Sequence, residues 1–575
     1  MGIGIRYACL VETRRLLLVM GVVFGLILLV QYFELPYSKI FSVLFLPDKS
    51  PSGAGDTFAG ITFTNPHGTD EAPIAVYVFH HNQTVNDTVI DDIDPEDDPV
   101  ERRTFPSSVA AMNSSPAKVS TDLGNAGNAA PENNHSNAKV LNNELPEINK
   151  TPSGLPENDP VNAKRPSKMS PDNVVTISEM IDMLLKSRLS YRAEKPRWPS
   201  PADQELLNAG SSIESAPPVE NDPQFDVTLY RNFSAFNRSY ELMEKTLKVY
   251  IYAEGDRPIF HQPPLKGIYA SEGWFMKQLK SSKQFVTKKP RKAHLFYIPI
   301  SSRALEVSLY VPDSHDRKPL ISAVSNYVDM IRRKYTFWNR TDGSDHFLVA
   351  CHDWAPSETR ETMPNCIRSL CNSDIREGFR FGKDASLPET FVRTPQNPLR
   401  QLGGKPPSKR RILAFFAGNM HGYLRPILLS HWENKDPEMK IFGRMGKAKG
   451  RMSYAEYMKS SKFCICAKGF EVNSPRVVEA IFYECVPVIV SDNFVPPFFE
   501  TLDWESFAVF VAEKDVPELK NILTSIPPSK YLKMQRRVRR VQQHFLWHSR
   551  PVKYDVFHMI LHSVWHNRVF QIRPR

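Results

Sequence analysis

Ser460-Ser-Lys-Phe-Cys-Ile-Cys-Ala-Lys-Gly-Phe-Glu-Val-Asn-Ser-Pro-Arg-Val-Val-Glu-Ala-Ile-Phe-Tyr-Glu-Cys-Val-Pro-Val-Ile-Val-Ser-Asp492 is the densest pattern in the chain. Its first apolar run, Phe463–Cys466, reads as a buried strand leading to Gly469. A short loop then brings Ser474, Pro475 and Arg476 to the start of a helix over 474–483. Proline suits a first helical turn and serine suits the cap before it. A second apolar run, Val486–Val490, makes the next strand. Two strands apolar throughout, with a helix between them, mark a parallel sheet covered on both faces. Ligands of such sheets sit beyond the carboxyl ends of the strands, where this loop falls. Backbone N–H groups at the helix start, with Arg476, suit a diphosphate. Glu479, three residues on and on the same helix face, is placed to accept from ribose hydroxyls. The same residues also fit a capped structural helix with an internal Arg476–Glu479 pair.

Upstream, Ala414-Phe-Phe-Ala-Gly-Asn-Met-His-Gly-Tyr-Leu-Arg-Pro-Ile-Leu-Leu-Ser-His-Trp432 repeats the pattern of strand, glycine turn and helix. Gly418 and Gly422 allow close backbone approach, and Arg425 stands near a helix start. Strands are also expected at 411–416 and 507–511, with a helix near 425–432. Before them, 247–252, 293–300 and 346–350 read as strands and 320–331 as a helix. Residues 397–408, rich in Gly and Pro, read as a linker between two such blocks. The expected architecture is α/β, with two Rossmann-like domains, 223–408 and 409–575, facing a cleft.

The N-terminal part has another texture. Arg6, Arg14 and Arg15 precede an apolar run from Leu16 to Phe33, about long enough for a ~30 Å hydrocarbon layer. Basic residues before the run hold the tail 1–15 in the cytoplasm, as an uncleaved signal anchor would. A cleaved signal peptide is the rival, although no small-x-small site follows Val30. Residues 34–222 read as a largely disordered luminal stem, rich in Pro, Ser, Asn and Asp. Within it, Val174–Ser187 carries a helical stripe behind a capping box at Thr176 and Glu179. Asp92-Ile-Asp94 lies in an acidic run with no strand beside it, so it is a poor metal site. Asn-x-Ser/Thr triplets at Asn82, Asn86, Asn113, Asn134, Asn149, Asn232, Asn237 and Asn339 agree with a luminal chain.

The 575 residues leave room for two to four domains of ~100–200 residues. A net charge of +10 suits an anionic ligand, but no dense basic stripe interleaved with aromatics points to nucleic acid. Cys351, Cys366, Cys371, Cys464, Cys466 and Cys485 are an even set that permits disulfides, with the pairing open. Cys-Ile-Cys at 464–466 lacks the spacer of a zinc ribbon.

These two segments, with Lys248–Gly255, Tyr269–Met276 and Asp345–Trp354, closely resemble the exostosin-like glycosyltransferases, glycosyltransferase family 47, in its plant branch. The resemblance covers roughly residues 245–560, with several motifs in order. It implies a GT-B fold, Golgi residence and inverting transfer from a UDP-sugar to a cell-wall polysaccharide or glycoprotein glycan. In that scheme Arg425 and Arg476 stabilise the diphosphate leaving group and Glu479 holds the ribose, with Gly418, Gly469 and Ser474 shaping the pocket. Fixed positive charge then replaces a metal, and no cofactor is expected. The base should come from the first block: Asp353 is the leading candidate, with Glu272 and His352 as others. Trp274 and Trp354 suit sugar stacking or the core. A non-catalytic partner that anchors an active glycosyltransferase is the alternative. A glycoside hydrolase would need two carboxylates roughly 5–10 Å apart and would leave the phosphate loops without purpose.

Overall fold

The computed structural model describes residues 174–190, 199–446 and 452–572. The expected anchor at 16–33, most of the stem, Asp92-Ile-Asp94 and the triplets from Asn82 to Asn149 lie outside them. Among the described residues no helix is long and apolar enough to cross a membrane.

The chain enters through α1 (Ile177–Ser190) and α2 (Pro201–Glu214). Reciprocal capping bonds start the first helix: Thr176 N–H donates to Glu179 and Glu179 N–H donates to the Thr176 hydroxyl. Ser200 and Asp203 form the same box before α2, with Pro201 in its first turn. Met180 and Leu184, then Leu206, Ala209 and Ile213, are buried in the main core. Helical spacing therefore docks both helices on the folded unit, and the stem boundary expected at 223 lies too late in the chain.

Next come α3 (Phe233–Thr246), β1 (Val249–Ile251), α4 (Ala270–Ser281) and β2 (Leu295–Tyr297). They are followed by α5 (Lys318–Lys334), β3 (His346–Ala350), β4 (Ile367–Leu370) and β5 (Ala385–Ser386). The five strands are parallel in the order β1-β2-β3-β4-β5. Side chains alternate between faces as strand geometry requires. Tyr297, Phe347 and Val349 join the main core, whereas Phe296, Leu348 and Ala350 join a second cluster under Leu320, Val324, Val328 and Ile331 of α5. The consecutive order leaves no reversal point in this sheet.

The second sheet holds β6 (Ile412–Ala417), β7 (Met439–Phe442), β8 (Ser461–Ala467), β9 (Val486–Val490) and β10 (Val509–Phe510). Its helices include α6 (Leu424–Trp432) and α7 (Arg476–Phe482). All pairings are parallel, in the order β10-β9-β8-β6-β7. Within this lobe the order is 2-1-3-4-5, with its reversal between β6 and β8.

The last helix, α8 (Val556–Gln571), packs on α2, α3, α4, β4 and β5 of the first lobe. Asn567 donates to the carbonyls of Lys383 (3.0 Å) and Asp384 (3.1 Å). The second block therefore does not keep residues 409–575 to itself, because its tail completes the first lobe. Phe415, Phe463 and Val488 of the second sheet share one apolar cluster with Tyr297 and Phe347 of the first.

Candidate functional site

The reversal point of the second sheet brings together the two loops singled out above. After β6 the chain runs through Gly418–Tyr423 into α6, and after β8 through Lys468–Pro475 into α7. The loops touch: a Cβ on Gly422, which sits at φ +68°, would lie 2.0 Å from the carbonyl oxygen of Gly469. Only glycine gives both that left-handed backbone and that approach.

Arg476 is the first residue of α7 and only 1% exposed. Its Nε and Nη2 donate to the Ala417 carbonyl at 2.9 and 2.7 Å. A Cβ on Gly418 would stand 2.3 Å from Nη2, so that glycine clears space for the guanidinium. Arg425, in the first turn of α6 and 0% exposed, donates to the carbonyls of Asn419 (3.1 Å) and Ala467 (3.3 Å). A Cβ on Gly469 would lie 3.1 Å from its Nη2. Both guanidinium carbons flank Phe416, 5.1 and 5.9 Å from its ring centroid. Two cations from different loops thus both lie against one ring.

The helix expected over 474–483 spans only Arg476–Phe482, and Pro475 is its cap residue with no side-chain cap bond. Ser474 Oγ accepts weakly from Arg476 N–H at 3.4 Å. An anion bound here would depend on the arginines more than on a long helix dipole. Glu479 is 4% exposed and pairs elsewhere: Arg393 Nη2 donates to Oε1 at 2.6 Å and the Tyr454 hydroxyl to Oε2 at 2.9 Å. Burial pushes its pKa up, while Arg393 and Tyr454 pull it back. A ribose at Glu479 has to share these partners. Nothing in the sequence marked Arg393, in the connecting segment, as their counter-charge.

The first lobe places the candidate bases unequally. Glu272 is 0% exposed and accepts from Ser301 Oγ (2.5 Å), Cys351 N–H (2.7 Å), His352 N–H (3.3 Å) and Arg303 N–H (3.4 Å). A carboxyl with no surface does not meet an acceptor, so it buttresses the loop after β3. His352, 5% exposed, lies 4.8 Å from Tyr269, and its Nδ1 accepts from Trp354 N–H at 3.3 Å. Burial, with Arg303 and Arg317 nearby, holds its pKa well below the usual histidine range and keeps it neutral. Asp353 is half-buried on the same loop. Trp274 is buried and donates to Leu265, a core role, whereas Trp354 is half-buried with the Arg317 guanidinium 5.0 Å over its ring.

A disulfide between Cys351 and Cys371 pins the carboxyl ends of β3 and β4 together, and Cys464–Cys485 clamps β8 to the start of β9. Cys366 and Cys466 stay as buried thiols. Beside the first bond, Asn372 Nδ2 donates both to the Asp353 carbonyl (3.0 Å) and, across the lobes, to Glu471 Oε2 (3.2 Å). Sequence reasoning passed over Glu471 and Asn372. A carboxylate beside a phosphate loop carries no signal of its own.

Comparison with known proteins decides the family. A family model described as the exostosin GT47 domain matches residues 243–526. A probable glycosyltransferase of Arabidopsis thaliana is 45% identical over 373 residues, 63% of this chain and 71% of the relative. The chain belongs to the plant exostosin-like glycosyltransferase family, GT47. A probable beta-1,4-xylosyltransferase of Arabidopsis thaliana is 30% identical over 360 residues, covering 57% of this chain and 84% of that one. A probable glucuronosyltransferase of Oryza sativa subsp. japonica is 30% identical over 346 residues, covering 55% and 77%. The sequence resemblance named this same GT47 family, and family and relatives together support glycosyltransferase activity.

Proposed function

We propose that this GT47 chain is a Golgi type II membrane protein of GT-B architecture. It transfers a sugar, with inversion, from a UDP-sugar to a cell-wall polysaccharide or glycoprotein glycan. The observation that carries the reading is that Arg425 and Arg476, from two loops at the reversal point of the second sheet, both lie against the Phe416 ring. In this scheme the acceptor oxygen attacks the anomeric carbon opposite the diphosphate. The bond to the diphosphate then breaks, and the charge left on it falls to the two arginines without a metal ion. Removing one such preorganised donor typically costs about 10²–10³ in rate. The xylosyl and glucuronosyl names of the more distant relatives make UDP-xylose and UDP-glucuronic acid the first donors to try. Two disulfides and the N-terminal charge pattern support a luminal catalytic unit. The test incubates full-length protein with a panel of UDP-sugars and plant oligosaccharides, reading UDP release and the anomeric configuration of the product. Release with retained configuration overturns the inverting scheme.

A second reading has its own support. Glu479 is already engaged through both oxygens, and both arginines donate to main-chain carbonyls. A site satisfied in this way also suits a non-catalytic partner of an active glycosyltransferase. Folded full-length protein that binds no UDP favours that reading.

A further inference from the structure

We infer that Glu471, held at the lobe junction by Asn372, is the group that takes the proton from the acceptor hydroxyl. The assignment rests on the transferase reading above. In the step, the acceptor O–H proton passes to the Glu471 carboxylate as the oxygen bonds the anomeric carbon. The electron pair of the broken carbon–oxygen bond leaves with the diphosphate.

Position comes first. Glu471 stands two residues after Gly469 and five before Arg476, on the loop that carries the cationic site. The Asn372 amide ties it to the first lobe, because one Nδ2 serves both Glu471 Oε2 and the Asp353 carbonyl. The carboxyl is therefore held between the loop after β8 and Asn372 after β4, which is itself bonded to the loop after β3. Among the described residues nothing bonds its Oε1, which leaves one oxygen for a substrate proton. Glu272 and His352 offer no comparable access, being enclosed by donors and rings.

Charge points the same way. Burial raises the Glu471 pKa, opposed by the Asn372 bond and the positive charges of Arg317 and Lys468, and Asp374 adds to the rise. Glu377, beside it, is pushed up to about 7 by burial and by the charges of Glu471 and Asp374. The groups facing Glu471 are thus Asp374 and Glu377 from the segment after β4, Arg317 from before α5, and Lys468 from its own loop. A carboxylate whose pKa rises toward the working pH is a stronger base than an exposed one.

The experiment uses full-length wild type, Glu471→Gln, Glu471→Asp and Asp353→Asn. Calorimetry with UDP reads the donor site, and UDP release from UDP-xylose, UDP-glucuronic acid, UDP-galactose and UDP-arabinose, with water or oligosaccharide as acceptor, reads turnover. Glu471→Gln should bind UDP within about 3-fold of wild type and lose ~100-fold or more in kcat. The acid limb of its kcat/KM profile should vanish, Glu471→Asp should keep that limb, and Asp353→Asn should not remove it. Turnover by Glu471→Gln within about 3-fold of wild type, or loss of the limb in Asp353→Asn instead, overturns the assignment. Wild type that binds no UDP sinks the transferase reading itself, and the assignment with it.

Discussion

Replacing Gly422 by alanine drives the two loops of the reversal point apart. The added Cβ would stand 2.0 Å from the Gly469 carbonyl oxygen, 2.7 Å from its carbon and 3.3 Å from Phe470 N. These are backbone atoms, so no side-chain rotation relieves the clash. Left-handed backbone at φ +68° adds a conformational cost of about 1 kcal/mol for a residue with a Cβ. Overpacking adds ~1–3 kcal/mol, for a total of about 2–4 kcal/mol. The described residues are 174–190, 199–446 and 452–572. At ~2.1 cal/mol/K of unfolding entropy per residue, the loss becomes roughly 2–5 °C in Tm. Displacing Gly469 also moves the backbone that packs on Arg425, so UDP affinity should fall about 10-fold or more. Gly446→Ala is the control, since its Cβ meets nothing within 4 Å among the described residues. Scanning calorimetry and UDP titration on both variants provide the test. Equal Tm and equal affinity in the two would refute the loop contact and the site built on it.

Burial pushes the Glu358 carboxyl up to about 8; its Oε2 accepts from Ser302 Oγ at 2.5 Å and Oε1 has no partner among the described residues. A folded pKa above the ordinary 4.5 means that the stability it supports is complete below about pH 4.5 and is lost as pH rises toward 8. Glu358→Gln should flatten that fall, by ~5 kcal/mol at most; an unchanged slope of Tm against pH between 5 and 8 would count against it. Removing the Cys351–Cys371 bond, which spans 20 residues, with paired alanines should cost about 3 kcal/mol in denaturant unfolding. It should also weaken turnover by freeing the ends of β3 and β4, and a variant as stable and as active as wild type would contradict this.

Legibility in the sequence followed hydrophobic continuity. The uninterrupted runs at 346–350 and 486–490 fall on β3 and β9 to the residue, and Thr176 with Glu179 starts α1 as its spacing implied. β4 escaped because Arg368 breaks its apolar run; the charge is buried against Asp384, a partner 16 residues on that local reading does not see. α8 escaped for the opposite reason, being buried nearly all round and so showing no apolar stripe. At the candidate site, the placing of Arg425 and Arg476 beside two adjoining loops was legible because glycine and arginine recur after two strands. The contacts of Arg393, Asn372 and Glu471 were not, since they arise only when distant loops meet.

The central claim is a nucleoside diphosphate site formed by Arg425 and Arg476, and UDP calorimetry on full-length protein with a chelator present tests it most directly. The account predicts micromolar binding that persists under chelation. In an Arg476→Ala variant that still unfolds cooperatively, affinity should fall by ~100-fold or more. No UDP binding by folded wild type, or equal binding by the variant, would contradict it.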